Sequence, residues 1–164
     1  MLALKRILVA TDFSETSHEA LRYGAALANE FRAKCYVLHV LPKAPAEDPG
    51  NTEFPLGLYE TTRDAARKQL RQLMTEQEIN ELSPEFATLV GAPHLEIIRY
   101  AKDHDIDVIV MGTHGRTFVA HMLMGSVAEH VVRRAPCPVL TVRHPQHASG
   151  APEETVAESA EAAT

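Results

Sequence analysis

Long apolar runs are missing from this 164-residue sequence. None approaches the ~18 residues of a membrane-spanning helix, and the first residues lack the apolar stretch of a secretion signal. A cytoplasmic protein without membrane insertion is the expectation. Cysteine is scarce, with two residues in all. Cys35 falls in an apolar segment and Cys137 between two prolines, so both read as reduced packing thiols rather than as a disulfide or redox pair. Excess positive charge is missing too. The formal net charge is −6, and after Arg143 the chain carries Glu153, Glu154, Glu158 and Glu161 with no Lys or Arg. Setting those four carboxylates aside leaves −2 for residues 1–143, so no nucleic-acid surface is expected. The histidines show no metal-ligand spacing, which argues against a metal site built by the protein alone. No P-loop lysine motif, no Gly-x-Ser-x-Gly elbow and no His-Glu-x-x-His is present, and no general acid and base can be paired. Any hydrolysis should therefore be slow. No internal repeat is visible.

What is present is an alternation of strands and helices in a chain that is 45% apolar, enough to fill the core of one domain but too short for two. Ile7–Ala10 reads as a buried strand. Ala20, Leu21, Gly24, Ala25, Leu27, Ala28 and Phe31 recur at helical spacing after a start near Ser14 to Ser17. Cys35–Leu41 is a second strand. Four prolines and two glycines over residues 42–57 forbid regular structure there. Leu58 to about Leu82 suggests a surface helix broken near its end, with Ala65, Leu70, Leu73 and Ile79 as its apolar positions. Glu85–Val90 gives strand three. Pro93 opens a helix that runs to about Asp103 with Leu95, Ile98 and Ala101 facing inward. Asp107–Met111 and Pro138–Val142 are strands four and five, and Asp103, Asp105 and Asp107 read as a solvated turn. Five strands and four helices in this order predict an α/β fold: a single-domain open five-stranded parallel sheet with helices on both faces. Residues 144–164, rich in Ala and Glu, are expected to be a disordered acidic tail.

The most specific local pattern is Gly112-Thr-His-Gly115-Arg116, directly after strand four, with Gly125-Ser126 following Gly115 after nine intervening residues. A strand that ends in a Gly-x-x-Gly turn, followed by Gly-Ser at a helix start, offers backbone N–H groups to a phosphate. Glycine at 112 and 115 removes the Cβ that would bar a close approach and permits positive φ. Arg116 adds a cationic partner. Ser126-Val-Ala-Glu129 has the form of a capping box, which places Ser126 at the N-cap with the helix dipole facing the turn. In a sheet of this type ligands bind beyond the carboxyl ends of the strands where strand order reverses. Asp12, Val40 and Gly112 all lie at such ends.

These residues resemble the universal stress protein family. Val110-Met-Gly-Thr-His-Gly-Arg-Thr117, Met124-Gly-Ser-Val-Ala-Glu129 and Val131–Arg143 are similar to its C-terminal half, whose nucleotide-binding branch carries G-x-x-G-x(9)-G-[ST] at this spacing. Lys5-Arg-Ile-Leu-Val-Ala-Thr-Asp-Phe-Ser14 is similar to its opening strand and aspartate. The segment Phe118–Met124 departs from the pattern, lacking the Gly and Lys/Arg often found there. The resemblance covers residues 4 to 143. It implies ATP, with Mg²⁺ bound through the phosphates, and a regulatory homodimer in stress response whose last strands, residues 138–143, pair across a two-fold axis. An unidentified regulatory partner would read that state.

On this reading Gly112, Gly115, Gly125, Ser126 and the N–H of Val127 hold the phosphates, with Arg116 and His114 beside them. Asp12 meets the ribose together with Gly112, and Val40 offers backbone groups to the adenine edge. Thr11 and Met111 complete the expected binding set. Each candidate has a plain structural alternative: Asp12 as a first-turn charge, Val40 as an ordinary strand residue, His114 as a turn residue bonding its own backbone. Two other functions stay open, a slow Mg²⁺-dependent ATPase or phosphotransferase using the same site, and an interaction scaffold without nucleotide.

Overall fold

The computed structural model describes residues 3–43, 56–114 and 124–143. Most of the proline-rich segment and the whole acidic tail expected from the sequence lie outside the described residues. The elements are β1 (Arg6–Thr11), α1 (Glu15–Phe31), β2 (Lys34–Pro42), α2 (Leu56–Gln72), α3 (Glu76–Leu82), β3 (Glu85–Gly91), α4 (Pro93–Asp103), β4 (Val108–Gly112), α5 (Ser126–Arg134) and β5 (Val139–Val142). The five strands form one parallel sheet in the order β3-β2-β1-β4-β5. The chain moves outward from β1 to β3, then returns to lay β4 on the other side of β1. Strand order therefore reverses between β1 and β4.

Alternate residues of the central strands serve opposite faces, as the two-residue period of a strand requires. Ile7, Val9, Cys35, Val37, Val108 and Val110 pack with α1, Leu70 and Met74. Leu8, Ala10, Tyr36, Leu38, Ile109 and Met111 pack with Ile97 and Tyr100 of α4 and Val131 of α5. Both sides of these strands are covered, which is why they read as unbroken apolar runs.

Local chemistry sets the ends of the helices. Ser14 is the N-cap of α1, its hydroxyl accepting from the Ser17 N–H, and Arg32 closes the helix in a left-handed conformation with φ 52°. The long surface helix breaks after Gln72, and Thr75 and Glu78 start α3 with a reciprocal capping box. Among the described residues there are thus five helices rather than four. Pro93 takes the first helical position of α4, where its missing N–H costs nothing.

Several inward assignments shift by a residue. Ala66, not Ala65, is buried on α2, and α4 buries Ile97, Tyr100 and Ala101, whereas Leu95 is 52% exposed. An apolar helix residue leaves the core when the stripe turns about 100° per position, and Leu95 lies on the outer side of a stripe centred on Ile97 and Ala101. Phe31, in the last turn of α1, is likewise 41% exposed. Asp107 is not a solvated turn residue: its carboxylate accepts from the backbone N–H groups of Lys5 at 2.7 Å and Arg6 at 2.8 Å, fastening the start of β1 to the start of β4. Asp105 pairs with Arg6 across the same junction.

Candidate functional site

A crevice of about 470 Å³ opens at the carboxyl ends of β1, β2 and β4. That volume lies within the usual range for small-molecule sites, and the position is the strand-order reversal where such sheets bind ligands.

Its first wall is the turn between β1 and α1. One Asp12 carboxylate oxygen accepts from the Ser14 N–H at 3.1 Å and the Ser14 hydroxyl at 2.6 Å. The Thr11 hydroxyl accepts from the Phe13 N–H and meets the Ser17 hydroxyl at 2.9 Å. Together these bonds hold Phe13 at φ 66°, a left-handed conformation that costs a non-glycine residue about 1 kcal/mol or more. The turn is a prebuilt rim that presents Thr11, Asp12 and Ser17 to the crevice.

The second wall is the end of β2. Pairing of β1 with β2 stops at Thr11 opposite His39, while β2 continues beside β3 as far as Pro42 opposite Gly91. Beyond His39 the β1-side edge of β2 has no strand partner among the described residues, and Val40 and Leu41 line the crevice there. His39 is buried, stacks on Phe13 with ring centroids 4.3 Å apart, and donates from Nδ1 to the Thr11 carbonyl at 2.8 Å. A carbonyl only accepts, so this bond assigns the Nδ1–H tautomer to the neutral ring.

The third wall is the start of α5. Thr113 donates its N–H to the Val142 carbonyl and accepts on its own carbonyl from the Gly125 N–H at 2.7 Å, tying the exit of β4 to the helix entrance. Gly125 is the N-cap, with φ −70° and ψ 155°, and among the described residues no side chain caps the helix. The first intrahelical bond runs from the Glu129 N–H to the Gly125 carbonyl. The N–H groups of Ser126, Val127 and Ala128 therefore have no partner within the helix, and these residues border the crevice. A helix N-terminus left open in this way attracts an anion through both its N–H groups and its dipole.

The expected capping box at Ser126 is thus not formed. Ser126 occupies the first helical position, because the residue whose carbonyl receives the first helical bond is Gly125. The role given to Gly112 changes as well. No glycine among the described residues has positive φ, and a Cβ on Gly112 would stand 2.9 Å from Thr16 Cγ2 and 3.2 Å from both the Thr16 carbonyl carbon and the His114 oxygen. The missing side chain lets β4 meet the start of α1.

A universal stress protein family model matches residues 3–143. The chain belongs to the universal stress protein family. Universal stress protein MJ0531 of Methanocaldococcus jannaschii is 34% identical over 145 residues, covering 87% of this chain and 84% of that protein. The solved structure of MJ0577 from the same organism is 32% identical, with a TM-score of 0.75, over 87% of this chain and 98% of that one. A universal stress protein solved in complex with cAMP shares the fold at a TM-score of 0.63 and 22% identity, over 86% of this chain and 98% of that one.

Of the residues expected from the sequence, Thr11, Asp12, Val40, Met111, Gly112, His114, Gly125, Ser126 and Val127 all line this one crevice. Gly115 and Arg116 lie outside the described residues. Sequence reasoning missed Ser17, His39, Thr113 and Pro93 as lining residues. Ser17 had a usable signal, its place in the first turn of a helix that follows Asp12. His39 had none, since a histidine inside an apolar strand reads as core.

Proposed function

We infer that this universal stress protein binds an adenine nucleotide in the crevice, ATP with Mg²⁺, and acts as a regulatory homodimer in stress response. The observation that carries the reading is the uncapped start of α5 facing a crevice that Asp12 and the unpaired edge of β2 also border. The chemistry divides along the crevice. The edge of β2 at Val40 and Leu41 offers backbone hydrogen bonds and an apolar surface, suited to a purine. Asp12 offers a carboxylate to ribose hydroxyls. The N–H groups of Ser126 and Val127 stand at the phosphate end beside Gly125, whose own N–H is bonded to the Thr113 carbonyl, with Gly112, Gly115 and Arg116 assigned to the same end by their place in the motif. That a universal stress protein of the same fold holds cAMP is in keeping with a nucleotide in this position.

The fit to Mg²⁺ is with phosphate. Among the described residues Asp12 is the one acidic residue lining the crevice, and no group of three His, Cys, Asp or Glu side chains occurs. Mg²⁺ keeps several waters and is commonly held by one or two carboxylates plus substrate phosphates, so Asp12 would supply at most one oxygen ligand. The ion, when bound, would neutralise phosphate charge. The chain's own groups would fix the base, the ribose and the backbone-cradled phosphates. A cradle of N–H groups without a general base holds ground state and transition state alike, which favours retention over turnover.

Mass spectrometry of the material released by denaturing the purified protein tests the reading, together with calorimetric titration of ATP with and without Mg²⁺. ATP or another adenine nucleotide in the released fraction, and saturable binding to stripped protein, is the expected result. Stripped, folded protein that binds no adenine nucleotide overturns it. Sustained phosphate release near the ~10 s⁻¹ median of enzymes would instead favour the ATPase reading.

A further inference from the structure

We propose that His94 and His130 form a two-imidazole chelate for a borderline divalent cation of the zinc, nickel or copper class, on the ridge where α4 meets α5. His94 follows Pro93 in the first turn of α4, and His130 lies one turn beyond Ser126 on α5. Their rings approach to 4.8 Å between centroids with planes tilted by 38°. His94 is half-buried and His130 exposed, so an ion reaches the pair directly from solvent.

The hydrogen bonding of His130 suits a metal ligand. Its Nδ1 lies 2.7 Å from the Ser126 carbonyl oxygen. That oxygen only accepts, so Nδ1 carries a proton, and in the neutral ring the lone pair is on Nε2. A ligating imidazole is commonly oriented by this bond from its second nitrogen to a carbonyl. The ring spacing agrees. With metal–nitrogen bonds of about 2.0–2.1 Å, each ring centroid stands roughly 3 Å from the ion. Two centroids 4.8 Å apart lie within the roughly 6 Å that two such bonds can span. No third His, Cys, Asp or Glu joins them among the described residues, so water or an oxygen ligand from solution completes the coordination sphere. Imidazole selects these cations over Mg²⁺, which demands oxygen ligands, and their affinities should rank with copper above nickel and zinc. The site therefore differs from the phosphate-held Mg²⁺ of the nucleotide reading and does not depend on it.

The test is calorimetric titration of Ni²⁺ and Zn²⁺ into the full chain without an affinity tag and without nucleotide. The expected result is a binding event of one equivalent that persists in His18→Ala, an exposed histidine on α1, and weakens at least about tenfold in His94→Ala and in His130→Ala. Mg²⁺ should leave no such difference between the variants. In the unmodified protein, substoichiometric Cu²⁺ should broaden the imidazole resonances of His94 and His130 before those of the other histidines, a readout that requires no variant to fold. Unchanged affinity and stoichiometry in either alanine variant overturns the proposal, as does first broadening at other histidines. Because nucleotide is absent throughout, failure here leaves the nucleotide reading standing.

Discussion

Gly112→Ala separates two reasons for a glycine at the end of β4. If the residue is glycine only to admit a ligand, alanine weakens binding and leaves the empty protein's stability intact. The structure gives the other answer. The new methyl would stand 2.9 Å from Thr16 Cγ2 and 3.2 Å from the Thr16 carbonyl carbon and the His114 oxygen, and two of those three atoms are backbone that cannot rotate aside. Relief requires the first turn of α1 to retreat from β4, and overpacking of this kind costs about 1–3 kcal/mol. For a domain of this size that corresponds to a fall in thermal midpoint of about 2–12 °C. Gly91→Ala is the internal control: the three atoms nearest its Cβ all belong to the Glu96 side chain, at 2.8–3.0 Å, and a side chain can swing away. Calorimetric melting of both variants without nucleotide decides the matter. A wild-type midpoint for Gly112→Ala would refute the packing argument and return the glycine to the ligand.

Three further outcomes are expected. Burial pushes the Cys35 thiol up to about 11 and raises the Cys137 thiol as well, so accessibility separates the two: Cys35 is buried and Cys137 only partly so, and a disulfide reagent should label only Cys137 until the protein is unfolded; rapid reaction of two thiols in the native state would contradict this. Thr88 Oγ1 is buried with no hydrogen-bond partner among the described residues, so Thr88→Val, which replaces the hydroxyl by a methyl of similar shape, should stabilise by about 1 kcal/mol in denaturant melts, and destabilisation would count against it. If the dimer forms through β5, an edge strand whose Leu140 is 38% exposed, then Thr141→Pro, at a position whose N–H points away from β4 because Pro138 and Val142 are the residues bonded to it, should give monomer by light scattering, and a monomeric wild type at micromolar concentration would end that reading.

The sheet was legible because its strands are apolar runs punctuated by Pro and Gly, made continuous by burial on both faces. The nine described members of the expected binding set sit together because the topology alone carries the ends of β1, β2 and β4 to one edge. Finer features followed forces that sequence patterns do not separate. Ser126-Val-Ala-Glu129 fits a capping box, yet Gly125 takes the cap because the bond from its own N–H to the Thr113 carbonyl fixes where the helix begins. Leu95 fits a helical stripe and still faces solvent, since the stripe's centre is set by which residues meet β2 and α5. His39 and Asp107 bond to backbone 28 and more than 100 residues away, and no local signal reports a contact at that separation.

The central claim, that the open start of α5 is a phosphate site, is tested most directly by titrating ATP into wild type and Ser126→Pro. Proline is accommodated at the first helical position, and Gly125 already has the extended ψ of 155° that a residue before proline prefers. The substitution therefore deletes one N–H and one hydroxyl from the crevice wall without disturbing the helix. Loss of a charge-assisted hydrogen bond of about 1.5–3 kcal/mol predicts roughly a 10- to 100-fold weaker affinity, with the nucleotide-free thermal midpoint unchanged. Equal ATP affinity in the two proteins would contradict the account.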